Sequence, residues 1–167
     1  KKNLVLLGMP GSGKSVIGRS LARETGLKLY DIDRLIEKEC GLKISNIFET
    51  KGEAFFRKIE EKITLNVLKM PNNIIALGGG AFLNDKIRSK ILKNDISIWL
   101  KWNKYTLISR LKKSRKRPIT FNLSKKDLLN LIEKRSKLYS MAEFKINCDK
   151  FTKYEILKKI LKIYEKK

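Results

Sequence analysis

The residues Gly8-Met9-Pro10-Gly11-Ser12-Gly13-Lys14-Ser15 satisfy GxxxxGK[ST] at every fixed position. Glycines in that pattern let backbone N–H groups converge on phosphate oxygens. The helix that the pattern opens adds the partial positive charge of its N-terminus. Lys14 has the reach and charge to meet β- and γ-phosphates, and the Ser15 hydroxyl suits a Mg²⁺ ion held beside them. Gly11, Ser12, Gly13 and Val16 complete the candidate nucleotide-binding run. Such a loop does not choose by itself among ATPases, GTPases and kinases. The absence of an NKxD guanine-reading motif speaks against a G protein.

Other groups with chemical potential lie downstream. Tyr30-Asp31-Ile32-Asp33 ends an apolar segment with two carboxylates, whereas the next such segment ends in Gly78-Gly79-Gly80 with no acid. Strand alternation would put Asp31 and Asp33 on the same side, one for metal-bound water and one for an acceptor hydroxyl. Equally, Asp33 could do no more than cap the helix that follows. Three glycines in a row mark either a plain tight turn or a place where something approaches the backbone closely. Arg57 lies on a helix with apolar Phe55, Phe56, Ile59 and Ile63. It is open to solvent, to a pair with Glu60 or Glu61, or to an anionic ligand.

Short apolar segments alternating with helical patterns must position these groups. Strands are predicted at Asn3–Leu7, Leu27–Ile32, Asn73–Leu77, Ile96–Leu100 and Phe144–Asn147. Helices are predicted at Ser15–Thr25, around Leu35 to Cys40, at Glu53–Met70, from Tyr105 to Leu111, at Leu128–Tyr139 and from Lys153. This alternation implies an α/β protein with a parallel sheet covered on both faces, in one domain spanning 1–167. The phosphate loop, the two aspartates and the triple glycine then reach the carboxyl edge of that sheet together. Residues 112–123, with Lys112-Lys113-Ser114-Arg115-Lys116-Arg117-Pro118, interrupt the pattern and read as a flap.

Composition narrows the classes further. There are no histidines, and Cys40 and Cys148 are isolated, which argues against zinc, a disulfide framework and histidine-dependent triads. The amino-terminal apolar run is too short for a signal peptide, and no segment is long enough to span a bilayer; the expected location is cytoplasmic. The net charge of +22 rests on 30 Lys against 9 Arg. No block of arginines with interleaved aromatics accompanies it, so a solvated surface is expected and no nucleic-acid or membrane partner.

The ordered set GxxGxGKS, DxD, FR, GGG, RP and RxxxY resembles shikimate kinase along nearly the whole chain. The pieces are Gly8–Ser15, Asp31–Asp33, Phe56-Arg57, Gly78–Gly80, Arg117-Pro118 and Arg135–Tyr139. The resemblance implies a three-layer P-loop kinase fold, with a parallel five-stranded sheet flanked by helices. It implies transfer of the γ-phosphoryl group of ATP, with Mg²⁺, to the 3-hydroxyl of shikimate, by a monomer.

The resemblance also distributes roles. Asp33 takes the acceptor hydroxyls, and Arg57 and Arg135 take the substrate carboxylate, with Gly78, Gly79 and Gly80 as the pocket wall. The substrate-binding helical segment is about 32–62. Lys14 and the lid residue Arg117 face the phosphates, Arg110 packs on adenine, and Asp31 orients Mg²⁺ through water. Lys137 stands where the family usually has proline, and Ile119 where leucine is common. A different small-metabolite or nucleoside monophosphate kinase is the nearest rival. A nucleotide-switched nucleic-acid binder is a more distant one.

Overall fold

The computed structural model describes residues 2–113 and 122–167. Five strands form one parallel sheet: β1 (Leu4–Leu7), β2 (Leu29–Asp31), β3 (Ile74–Ala76), β4 (Ile96–Lys101) and β5 (Phe144–Asn147). Their order is β2-β3-β1-β4-β5. The chain leaves β1 in one direction, returns through β3, and crosses β1 to reach β4. The carboxyl end of β1 is therefore the switch point where an open α/β sheet makes its crevice.

Eight α-helices lie among the described residues: α1 (Lys14–Thr25), α2 (Ile32–Cys40), α3 (Ile44–Lys51), α4 (Glu53–Val67), α5 (Asp85–Asn94), α6 (Lys104–Lys113), α7 (Lys125–Tyr139) and α8 (Lys153–Glu165). Both faces of β1 are apolar, as a doubly covered strand requires. Val5 and Leu7 face a cluster with residues of α2 to α7, including Ile36, Phe56, Ile91 and Ile132. Leu4 and Leu6 face a second cluster with Ile17 and Leu21 of α1 and Ile156 and Ile160 of α8. Each of these pairs is spaced by four residues or two, the periods of one helix face and one strand face.

Local signals set the ends. Gly26 stops α1 in the left-handed region at φ 72°, its N–H returned to Ala22 O. Thr152 and Glu155 form a reciprocal capping box at α8. Away from the crevice, Asn3 ties the amino ends of three strands. Its Oδ1 accepts from Asn73 N at 2.9 Å and its N donates to Asp95 Oδ1 at 3.1 Å.

The sheet matches the predicted strands with ends shifted by up to two residues, β4 running one residue further to Lys101 and β1, β2 and β3 being trimmed. One trimming has consequences: β2 stops at Asp31 and Ile32 already belongs to α2. Helices α3 and α5 were not anticipated. In α5 only Ile87 and Ile91 are buried, too sparse an apolar stripe to stand out among its lysines. Most of the predicted flap, with Ser114, Arg117 and Ile119, lies outside the described residues; Lys112 and Lys113 end α6. No helix among the described residues is long and apolar enough to cross a membrane.

Cys148 is buried, and burial pushes its thiol up to about 12. Thiolate is the reactive form, so a thiol reagent at pH 8 should leave Cys148 unmodified until the protein unfolds. Cys40 is half-buried and should react first. Peptide mapping after native and denaturing labelling measures this; equal labelling of both cysteines in the native protein would contradict the burial of Cys148.

Candidate active site

The loop joining β1 to α1 is built from backbone conformations that suit glycine. Gly11 and Gly13 have φ of 79° and 90°. Lys14 lies buried along this loop, its Nζ donating to Gly8 O at 2.7 Å and Met9 O at 2.9 Å. Its ammonium is thereby held over the concave side of the loop, at the N-terminus of α1. Val16 is exposed on the first turn of that helix.

Asp31 and Asp33 do not share a strand face, as alternation had suggested. Asp31 is the N-cap of α2, its side chain accepting from Arg34 N, so the capping role falls to it and not to Asp33. Its Oδ2 also accepts from Ser15 Oγ at 2.5 Å. A hydroxyl and a carboxylate oxygen side by side are hard donors of the kind Mg²⁺ takes. No cluster of three or more His, Cys, Asp or Glu able to hold a metal occurs among the described residues. A cation at Ser15 and Asp31 would therefore complete its shell with phosphate and water oxygens.

Asp33, in the first turn of α2, is directed at the glycine run. A Cβ on Gly78 would stand 2.9 Å from Asp33 Oδ1 and 2.8 Å from Glu60 Oε2. One on Gly79 would stand 2.6 Å from Pro10 Cδ, and one on Gly80 would stand 2.5 Å from Arg57 Nη1. None of the three has a positive φ. The run does form a turn, Ala81 N donating to Gly78 O at 3.1 Å, and close approach accompanies it: space, and not backbone conformation, disfavours side chains here, most rigidly at Gly79 against the Pro10 ring.

Arg57 pairs with Glu60 at 2.9 Å and, more loosely, with Glu53 at 3.5 Å. Glu61 bonds instead with Asn84 and Lys86. Arg135 comes from α7 and is buried, with its Nε lacking a hydrogen-bond partner. One turn later the Tyr139 hydroxyl donates to Gly79 O. Lys137 is accommodated within α7, which runs unbroken to Tyr139.

Glu60 links these groups, and the sequence alone had marked it only as one possible ion-pair partner. It is buried on α4 in line with Phe56, Thr64 and Val67. Burial pushes its carboxyl above the ordinary value of 4.5, chiefly through lost hydration. Arg57 pulls the other way, Asp33 adds repulsion and Arg135 a weaker attraction. Its Oε2 is buried without a hydrogen-bond partner. The signal available in the sequence was a carboxylate on the apolar stripe of α4.

Arg110 does not stand free. Its guanidinium lies 3.9 Å from the centroid of Trp102 and donates to Gly11 O at 3.0 Å. Arg117 lies outside the described residues.

A phosphate loop at the switch point, a carboxylate directed at a glycine wall, and a part-exposed and a buried arginine define a P-loop phosphotransferase for a small anionic acceptor. Comparison with known proteins sharpens that class. A shikimate kinase family model matches residues 10–165. The chain is 37% identical to a shikimate kinase of Bartonella quintana, over 97% of this chain and 78% of that one. It is 38% identical to a shikimate kinase of a Sulfurihydrogenibium species, over 96% of each. It superposes with a TM-score of 0.91 on a shikimate kinase from Acinetobacter baumannii solved with shikimate, at 27% identity, covering 99% of this chain and 93% of that one. The chain belongs to the shikimate kinase family.

Glu60→Gln tests the buried cluster by linkage. A raised carboxyl pKa means that the folded state keeps a proton the unfolded state has released, so stability falls as pH rises from 4.5 to the folded pKa. Above that value the full penalty is present. The melting temperature of Glu60→Gln relative to the parent should therefore climb as pH rises from about 4 to 8, while the KM for the acceptor increases because Arg57 loses its anchor. Thermal melts across pH read the first effect; a flat difference would show that Glu60 ionises normally.

Proposed function

We propose that this chain transfers the γ-phosphoryl group of ATP to the 3-hydroxyl of shikimate, giving shikimate 3-phosphate and ADP. The observation that carries the reading is the convergence on one glycine wall of Asp33, the Glu60–Arg57 pair and the phosphate loop.

The hydroxyl oxygen bonds to the γ-phosphorus as the bond to the bridging oxygen breaks. ADP keeps that electron pair, and the hydroxyl proton passes to the Asp33 carboxylate. The transition state is loose, so positioning and charge neutralisation supply most of the acceleration. Asp33 orients the hydroxyl toward the loop, and Arg57 with Arg135 hold the carboxylate at the far end of the acceptor. Two arginines from different helices fix direction as well as attract charge, since each guanidinium can engage a carboxylate in two parallel bonds. Lys14 meets the phosphates.

Ser15 and Asp31 are the residues that would hold Mg²⁺, which would supply further neutralisation of phosphate charge. The family resemblance assigns Arg117 to the transferring group. Gly78 to Gly80 keep the acceptor against main chain, where even a methyl group would intrude.

Lys14→Met should cut turnover by at least about a hundredfold while the fold survives, because the lost charge acts on the transferring group. ADP release with and without shikimate, followed by a coupled assay, tests the acceptor itself; release that shikimate does not stimulate would overturn the reading. Arg57→Ala and Arg135→Ala should each cost about 2–5 kcal/mol in kcat/KM for shikimate. Both losses should shrink on an acceptor lacking the carboxylate, since the shared partner is gone. Equal losses on the two acceptors would dismiss the carboxylate clamp.

A further inference from the structure

We propose that Trp102 is a positioning residue of the nucleotide site, holding the phosphate loop in its anion-binding shape and backing Arg110. This rests on the reading that ATP binds at the Gly8–Ser15 loop.

Trp102 follows directly on β4, the strand beside β1 on the side away from β3. Its indole Nε1 donates to Ser12 O at 2.8 Å, a bond across 90 residues of sequence. The segment carrying it is itself tied down: Asn103 N donates to Asp149 Oδ2 at 2.5 Å and Thr106 Oγ1 to Asp149 Oδ1 at 3.3 Å. Arg110, in the second turn of α6, covers one indole face and reaches Gly11 O. Two consecutive carbonyls of the phosphate loop are thus gripped from outside by one stacked pair.

The consequence follows from peptide geometry. The peptide bonds among the described residues are trans, so the carbonyl and N–H of one plane point in opposite directions. Holding the Ser12 carbonyl at the indole turns the Gly13 N–H away from it, toward the interior of the loop. That plane turns about ψ of Ser12 and φ of Gly13, and Gly13, at φ 90°, rotates between wells with little penalty. On the Gly13 side the loop sequence itself therefore restrains the plane weakly. The indole supplies the restraint, and preorganised donors bind without first being ordered.

The same stack gives Arg110 a floor. A guanidinium over an indole is held by cation–π attraction and surrenders less freedom when a further planar group lies on its other face. Trp102 in this way serves both ends of the nucleotide, phosphates through its N–H and base through Arg110.

Trp102→Phe keeps a ring beneath Arg110 and removes the N–H. Calorimetric titration should show ADP binding weakened about two- to tenfold, the range expected for one net hydrogen bond. The KM for ATP should rise in parallel, with kcat within about twofold and shikimate affinity unchanged. If the parent itself fails to bind ADP, the nucleotide reading falls. If the parent binds and the variant binds equally well, only the role of Trp102 falls. Equal weakening toward ADP and shikimate would make Trp102 a general support and overturn the proposal too. Should the variant not fold, the parent decides the matter through its indole N–H resonances. Inorganic pyrophosphate, which has no base, should shift the Trp102 signal and leave that of Trp99 in place, whereas shikimate should move neither. A Trp102 signal indifferent to pyrophosphate would overturn the assignment.

Discussion

Two loops from adjacent strands approach each other more closely than a Cβ permits, and the rest of the site is arranged around that approach. The phosphate loop follows β1 and the glycine run follows β3, strands that lie about 4.8 Å apart in a sheet. Pro10 is seated on Gly79, whose carbonyl is fixed from behind by Tyr139 of α7. Any side chain at position 79 would push the loops apart and move Asp33 and Arg57 with them. The neighbouring glycines do the same job for other partners, Gly78 for Asp33 and Glu60 and Gly80 for Arg57. Main chain of the glycine run is thereby set directly against the phosphate loop.

Charges gathered in so small a space have to balance one another. Glu60 is nearly inaccessible, and a carboxylate there is tolerable only because Arg57 is bonded to it and Arg135 stands near. Asp33 adds a second negative group. The balance has a functional reading: the Glu60–Arg57 pair keeps the arginine's orientation fixed before any ligand arrives. An arginine left to solvent on α4 would carry the same charge but pay to be ordered on binding. Burial of Glu60 costs stability and yields a preset guanidinium, a compromise common where strain or desolvation is stored at functional sites.

The sequence disclosed the sheet and the phosphate loop because each rests on a local rule. Apolar runs stopped by glycine mark strands whatever surrounds them, and GxxxxGKS describes a single loop. Asp31 and Asp33 were misplaced relative to each other because a one-residue shift in the end of β2 changes which face a side chain takes. The reason for Gly78 to Gly80 was undecidable locally, since steric exclusion is set by Pro10, Asp33, Glu60 and Arg57, far away in the chain. Trp102 was silent for the same reason: its partners, Ser12 and Gly11 by way of Arg110, become neighbours only when β1 and β4 pair. Glu60 and Arg57 were adjacent enough to be suggested as a pair, but not the burial that makes the pair consequential.

The surface and the site divide electrostatic work between them. A net charge of +22, mostly lysine, gives the whole molecule a field that draws anions, ATP and a carboxylate-bearing acceptor alike. At physiological ionic strength that field decays over about 8 Å, and it does not distinguish one anion from another. Discrimination has to come from groups shielded from salt and fixed in direction. Arg135 at 5% exposure meets the first condition and the Glu60-anchored Arg57 the second, whereas the lysines of α8 or α5 meet neither. The excess charge therefore bears on how often an anion arrives, and selectivity among anions calls for groups of the kind that Arg135 and the Glu60–Arg57 pair supply.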